Sequence, residues 1–204
     1  MKFNEIVEKL FFRMQKLTPL TPRFEDALAY TFRLHQKQFR KGTGVPYLAH
    51  LLAVTSLVLE DGGDEDQAIA ALLHDGPEDQ GGQQVLTEIE TRFGERVGRI
   101  VEGCTDSLEN PKPAWQSRKE SYLQHLADAP QEVLQVSLAD KLHNTRTILR
   151  DLRTNGDSVW KRFNGGKQGS LWYYRSLVDI FKRRSQSPMV KEFEATVKSI
   201  EELI

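Results

Sequence analysis

Four side chains of the types that bind metals or move protons stand in or directly after apolar runs of the sequence. His50 lies inside PYLAHLLAV, His74 and Asp75 follow AIAALL, and Asp140 ends VLQVSLAD. A single histidine in such a run is most often a hydrogen-bonded core residue, but burying charges costs free energy unless they are paired or bound to metal. The joint pattern therefore predicts that two imidazoles and two carboxylates converge on one divalent ion.

A second acidic pair suggests what such an ion would be used for. Glu78 and Asp79 come about one helical turn after His74 and Asp75, which places them near the same face. Carboxylates beside a metal can orient a water molecule and accept its proton. Nitrogen and oxygen ligands suit Mn, Fe, Co, Ni or Zn, and the two carboxylates favour Mn²⁺. We therefore predict metal-dependent hydrolysis, with Glu78 and Asp79 as the acid–base pair.

The elements that must position these groups are predicted to be helices. Apolar residues recur at helical spacing, Thr21-Pro22 reads as an N-cap followed by proline, and Asp64 with Gln67 forms a capping box. Neither strand-like alternation nor a repeat is present. We predict an all-α bundle forming a single domain over residues 1–204, with helical segments Phe24–His35, Tyr47–Glu60, Glu65–Asp75, Val85–Phe93, Glu95–Cys104, Gln116–Ala127, Glu132–Arg153, Leu171–Arg184 and Val190–Leu203.

Composition excludes several classes of partner. The chain has 28 basic and 29 acidic residues, so it lacks the basic excess typical of nucleic-acid binders. Its single cysteine, Cys104, is predicted to be buried and indicates a reducing compartment. The N-terminal MKFNEIVEKLFFRM is amphipathic rather than a signal peptide, and no run approaches the roughly 20 apolar residues of a membrane span. We predict a cytoplasmic protein without nucleic-acid or membrane partners.

The order H…HD…D resembles the signature of the HD phosphohydrolase superfamily. The blocks RKGTGVPYLAH, AALLHDGPED, FGERVGRIVEGCTD, SRKESYLQHL and LADKLHNTRTI resemble, in order, the hydrolase domain of RelA/SpoT-type proteins, over about Phe24 to Phe181. The size resembles that of the stand-alone small alarmone hydrolases, including the metazoan SpoT-like enzymes. This resemblance implies an HD-domain helical bundle around a central metal site. It also implies removal of the 3′-pyrophosphate from the nucleotide ppGpp or pppGpp, giving GDP or GTP.

The resemblance further implies roles for individual residues. The implied metal ligands are His50, His74, Asp75 and Asp140, and the implied acid–base pair is Glu78 and Asp79. The implied substrate-binding residues are Arg40, Lys41, Lys119, Asn144 and Tyr173, with Tyr174 as the alternative to Tyr173. His35 is implied to lie near the metal without binding it. His125 and His143 match no functional position, and we expect both to be structural.

Two alternatives remain open at the level of sequence. The first is the same chemistry on another nucleotide, such as an adenine alarmone, the 2′-phosphate of NADPH or a nucleoside monophosphate, because the loop Gly42–Val45 differs from that of the relatives. The second is an alarmone sensor without turnover. It stays open because Gly76-Pro77 replaces a branched apolar pair, and proline should end or kink the helix near Leu73. That break bears directly on where Glu78 and Asp79 lie.

Overall fold

The computed structural model describes residues 18–109 and 111–204, and it confirms the predicted all-α architecture. The N-terminal amphipathic segment lies outside the described residues. Within them, no helix combines the length and the apolar character needed to cross a bilayer. The helices are α1 (Pro22–His35), α2 (Leu48–Glu60), α3 (Glu65–Leu73), α4 (Gly82–Phe93), α5 (Glu95–Cys104), α6 (Trp115–Asp128), α7 (Gln131–Asn155), α8 (Gly166–Arg184) and α9 (Pro188–Glu202).

The helix starts follow the capping chemistry of the sequence. The Thr21 side chain accepts a hydrogen bond from the Arg23 amide at the start of α1. Asp64 and Gln67 form both hydrogen bonds of the predicted capping box at the start of α3. Helix α8 begins at Gly166, five residues before the predicted Leu171, because this glycine turns the chain with a φ of +57°. A short 3₁₀ helix, Gly156–Arg162, was not predicted.

The chain changes its helical geometry at Pro77. Helix α3 ends at Leu73, and a single π-helical turn covers Pro77–Gly81 before α4 begins at Gly82 rather than at the predicted Val85. The expected end of α3 is therefore confirmed, since proline has no amide hydrogen to give to the Leu73 carbonyl. The break is short: the Asp79 amide still donates to the Asp75 carbonyl over 3.0 Å.

Helix α7 is the central element of the bundle and packs against α2, α3, α5 and α9. Its inner face carries Leu138, Ala139 and Leu142, none of which is exposed to solvent, and Asp140 lies among them with only 6% exposure. Helices α2 and α3 cover that face and bring His50 and His74 toward the same carboxylate. The apolar runs seen in the sequence thus position the polar groups that they enclose.

Candidate metal centre and nucleotide pocket

Three buried side chains from separate elements meet at the centre of the bundle. One ligand atom from each of His50, His74 and Asp140 lies within 4.8 Å of the other two. Nε2 of His50 is 3.2 Å from Oδ1 of Asp140. Both imidazole Nε2 atoms are buried and have no hydrogen-bond partner within the described residues. Unsatisfied imidazole nitrogens that face carboxylate oxygens are what a divalent ion would complete, so this group fits a metal.

Asp75 lies beside this group, on its more accessible edge. Its Oδ2 is 3.2 Å from Nε2 of His74 and 3.5 Å from Nε2 of His50. The Tyr47 hydroxyl donates to the same oxygen over 2.6 Å, and the Asp75 side chain keeps 20% exposure. All four residues proposed as ligands from the sequence therefore lie together, and Asp75 would close the coordination shell from the solvent side.

Hydrogen bonds around the centre prepare its atoms for a cation. Nδ1 of His74 donates to the Ala71 carbonyl over 2.8 Å, which turns Nε2 toward the carboxylates, where a metal would take the place of its proton. Asn144 Nδ2 and Lys141 Nζ each donate to a different oxygen of Asp140 over 2.5 Å. Burial disfavours the charged form of Asp140, yet Lys141 and the two imidazoles hold its pKa well below the usual value. Asp140 is thus a carboxylate, as a ligand must be.

His143, which we expected to be structural, contacts the centre. Its Nδ1 lies 2.7 Å from Nδ1 of His50, so one of these nitrogens donates to the other. Burial, followed by the nearby His50 and Arg40, lowers the pKa of His143 to about 4, and the ring is neutral at neutral pH. His143 therefore orients a candidate ligand. The signal in the sequence was its position three residues after Asp140, on the same side of α7.

Glu78 and Asp79 point to different partners. Asp79 accepts a hydrogen bond from Gln38 Nε2 over 2.8 Å. Asp79 is an exposed residue, yet desolvation of its carboxyl, followed by the nearby Asp75 carboxylate, raises the pKa of Asp79 to about 6. Glu78 instead pairs with Lys112 Nζ at 2.8 Å. Of the two, Asp79 has the environment of a proton acceptor near neutral pH.

A pocket of about 350 Å³ opens directly beside the metal centre. His50 is part of both the centre and the wall of this pocket. Five residues named from the sequence line the pocket: Arg40, Lys41, His50, Asn144 and Tyr174. Arg40 Nη2 donates to Asn144 Oδ1 over 2.6 Å, so these two groups form one polar edge. No carboxylate lines the pocket within the described residues. Such a cationic cavity suits an anionic ligand.

Lys119 and Tyr173 do not line this pocket. Lys119 Nζ lies 4.9 Å from the centre of the Tyr173 ring and donates to Asp106 over 2.9 Å. Of the two tyrosines considered from the sequence, Tyr174 lines this pocket, and the substrate contact of Tyr173 stays a prediction. Asp106, which also pairs with Arg118, was missed because it stands in a polar loop without an apolar run to mark it as buried. Burial, followed by the neighbouring Lys141, lowers the pKa of Lys119.

Comparisons with known proteins agree with this arrangement. A family profile described as HD domain matches residues 27–171. The guanosine-3′,5′-bis(diphosphate) 3′-pyrophosphohydrolase MESH1 of Xenopus tropicalis is 38% identical over 128 residues, which cover 61% of this chain and 69% of the relative. The guanosine-3′,5′-bis(diphosphate) 3′-pyrophosphohydrolase of Aquifex aeolicus is 37% identical over 142 residues, covering 66% of this chain but only 20% of that longer protein.

A solved structure is similar over nearly the whole chain. It is that of a metazoan ortholog of SpoT described as hydrolysing ppGpp, and it has 25% sequence identity and a TM-score of 0.74. The similarity covers 92% of this chain and 100% of the other. Because the HD profile alone spans well over half of the sequence, and the MESH1 relative is covered over more than two thirds of its length, the chain belongs to the HD-domain family, alongside the MESH1-type pyrophosphohydrolases.

Proposed function

We propose that this protein hydrolyses the 3′-pyrophosphate ester of guanosine-3′,5′-bis(diphosphate), releasing pyrophosphate. The observation that carries the proposal is the double role of His50, which belongs both to the metal centre and to the wall of the cationic pocket. A phosphate bound in the pocket would thus lie against the centre. The activity of the MESH1 relatives and of the SpoT ortholog supports the same substrate.

A divalent ion, for which we propose Mn²⁺, would be held by His50, His74, Asp75 and Asp140. When bound, it would supply positive charge that polarises a phosphoryl oxygen and acidifies water. Two carboxylates among the ligands favour a hard ion such as Mn²⁺ over a soft one. The Nε2 atoms of both histidines support a bound cation here, because both are buried, face the carboxylates and have no hydrogen-bond partner among the described residues.

The reaction itself needs a proton acceptor and a binding site for the phosphates. In the proposed step, water attacks the phosphorus attached to the 3′ oxygen, its proton passes to Asp79, and the bond from phosphorus to that oxygen breaks. Asp79 gives this proton to the leaving 3′ oxygen, which becomes a hydroxyl as pyrophosphate is released and Asp79 returns to its ionised form. Asp79 suits this role because its raised pKa makes it a stronger base than an ordinary aspartate. Glu78 would orient the water.

The cationic groups divide into two sets around the substrate. Arg40 and Lys41 face the pocket beside Asn144, where the nucleoside and its 5′-phosphates would bind. Lys119 lies outside this lining, next to Asp106. We propose that it reaches the terminal phosphate of the 3′-pyrophosphate. Each additional phosphate gains another charge-assisted contact, so a substrate with several phosphates is favoured over one with a single phosphate.

A kinetic panel with Mn²⁺ tests the proposal. The substrates are guanosine-3′,5′-bis(diphosphate), the corresponding adenosine compound, NADPH and a nucleoside monophosphate, with products resolved by chromatography. We expect the highest kcat/KM for the guanosine compound and pyrophosphate as the product. Lys119→Ala should lower kcat/KM more for the pyrophosphorylated substrates than for the monophosphate. Preferential release of inorganic phosphate from NADPH or the monophosphate would contradict the proposal, and tight binding without any product would identify a sensor.

A further inference from the structure

Gln38 connects the candidate base to the end of α1. Its side-chain Nε2 is the donor to Oδ2 of Asp79 at 2.8 Å, and its Oε1 lies 2.7 Å from Nδ1 of His35. An ionised carboxylate can only accept hydrogen bonds, so the amide nitrogen must face Asp79 and the amide oxygen must face His35. Nδ1 of His35 is therefore the donor in the second bond.

His35 holds the amide of Gln38 in this orientation. His35 is the last residue of α1 and is only 2% exposed. Its imidazole stacks on the Tyr47 ring with 5.4 Å between the ring centres. Gln80 Nε2 donates to the same Oε1 of Gln38 over 2.5 Å. Two donors on the amide oxygen oppose a flip of the amide, because a flip would turn the amide hydrogens toward both of them.

Asp79 needs such a constraint because little else fixes its side chain. It follows Pro77 in the π-helical turn and is an exposed residue, and the bond from Gln38 is the one side-chain hydrogen bond that its carboxylate makes among the described residues. Lys112, which binds the adjacent Glu78, offers a competing cation nearby. The bond from Gln38 occupies Oδ2 and leaves the other oxygen, Oδ1, available.

We propose that Gln38 is a positioning residue: it fixes the carboxylate of Asp79 so that Oδ1 faces the reacting water, and His35 fixes Gln38. This inference rests on the proposed role of Asp79 as the base. A positioned group contributes to the rate only while its geometry is kept, so releasing Asp79 should lower kcat and leave substrate binding unchanged.

The test replaces the amide without disturbing the backbone. Gln38→Met keeps the length of the side chain and removes all three of its side-chain hydrogen bonds, while the backbone bonds of residue 38 to His35 and Tyr47, each 2.9 Å, remain. The matched control is Gln36→Met, whose amide donates only to the Arg33 carbonyl at the surface. We expect Gln38→Met to lower kcat about tenfold, with KM within about twofold, because a hydrogen bond to a charged group is lost. Metal content should match that of Gln36→Met, whereas Tm should be lower, because Nδ1 of the buried His35 loses its acceptor.

Two readouts test the role of Gln38 independently of whether the proposed substrate is correct. Bis(p-nitrophenyl) phosphate reports water activation without nucleotide recognition, so a defect of Gln38→Met on it supports the inference even if the guanosine nucleotide is not cleaved. Crystal structures of both variants report the Asp79 rotamer even if neither substrate is cleaved, and we expect it to change only in Gln38→Met. An unchanged rotamer, or kcat within about twofold of that of Gln36→Met on a substrate that is cleaved, would overturn the inference.

Discussion

At the scale of single residues, the pKa of Asp79 gives the proposed reaction a defined pH dependence. The base must be ionised, and its pKa is raised to about 6, so kcat should fall about tenfold per pH unit as the pH drops below that value. The pH range in which kcat falls is the acidic limb of the profile. A bound cation lowers the pKa of Asp79 and so moves this limb toward lower pH. Asp79→Asn should lose about 10²-fold in kcat and lose the limb, whereas Glu78→Gln should keep the limb. Profiles are recorded with metal content measured at each pH, and a limb that survives in Asp79→Asn would assign it to another group.

Cys104 offers a residue-scale test that is independent of activity. The thiol is buried, with 8% exposure, and contacts Ser137 and the Val133 carbonyl. Burial raises the pKa of Cys104 to about 11, so on the order of 10⁻³ of it is thiolate at pH 8, against about one quarter for a free cysteine. We expect a thiol reagent such as DTNB to label the native protein far more slowly than the protein in denaturant. Equal rates in the two conditions would show that the Cys104 thiol is accessible.

At the scale of elements, the 3₁₀ helix Gly156–Arg162 secures the loop that carries Arg40 and Lys41. Arg162 Nη2 donates to Asp151 Oδ2 over 2.8 Å and its Nη1 to the Lys41 carbonyl over 3.5 Å. Gly42 adopts a φ of +74°, and a Cβ there would collide with Cδ of Arg162. We expect Arg162→Met to raise KM about tenfold with kcat nearly unchanged, because we propose that the loop and Arg162, which itself lines the pocket, bind substrate and take no part in the chemical step.

The controls for this loop follow from its contacts. Lys161→Met changes a neighbouring exposed cation and should leave KM unchanged. Arg162→Met alone leaves Asp151, which is 7% exposed, without its main partner, so Tm should also fall. The double variant Asp151→Asn/Arg162→Met should recover part of the Tm but not the KM. A double variant with normal KM would show that the loop does not depend on Arg162.

The same elements show what the sequence could and could not predict. Helical periodicity and caps predicted most helices to within a few residues, and Pro77 marked the end of α3. The 3₁₀ helix was missed because Val159 and Trp160 are its only buried residues, too few to form a period. The meeting of the polar side chains in the three apolar runs could be predicted, because buried charged groups must be paired or bound to a metal. The contact between His143 and His50 could not, since it depends on how α7 is rotated against α2.

At the scale of the whole molecule, the centre of the bundle consists of buried polar side chains, and the Nε2 atoms of its two histidines have no hydrogen-bond partner among the described residues. His50, His74 and Asp140 are each at most 6% exposed, and they come from segments as far apart in sequence as α2 and α7. A metal that joins them would link these helices in the folded state only, because the unfolded chain does not hold the ligands together. Metal binding and folding are therefore expected to be coupled.

That coupling predicts a metal-dependent Tm. At a free Mn²⁺ concentration 100 times the Kd, binding to the folded state alone adds about 2.7 kcal/mol to the free energy of unfolding. For a chain of 204 residues, this corresponds to a rise in Tm of roughly 5–10 °C. Thermal unfolding is compared in EDTA and in excess Mn²⁺, with His74→Gln as the variant that removes one buried ligand. A rise in the wild type that His74→Gln abolishes would support the centre. Identical Tm values with and without each of Mn²⁺, Zn²⁺ and Fe²⁺ would instead mean that the three buried side chains hold no cation.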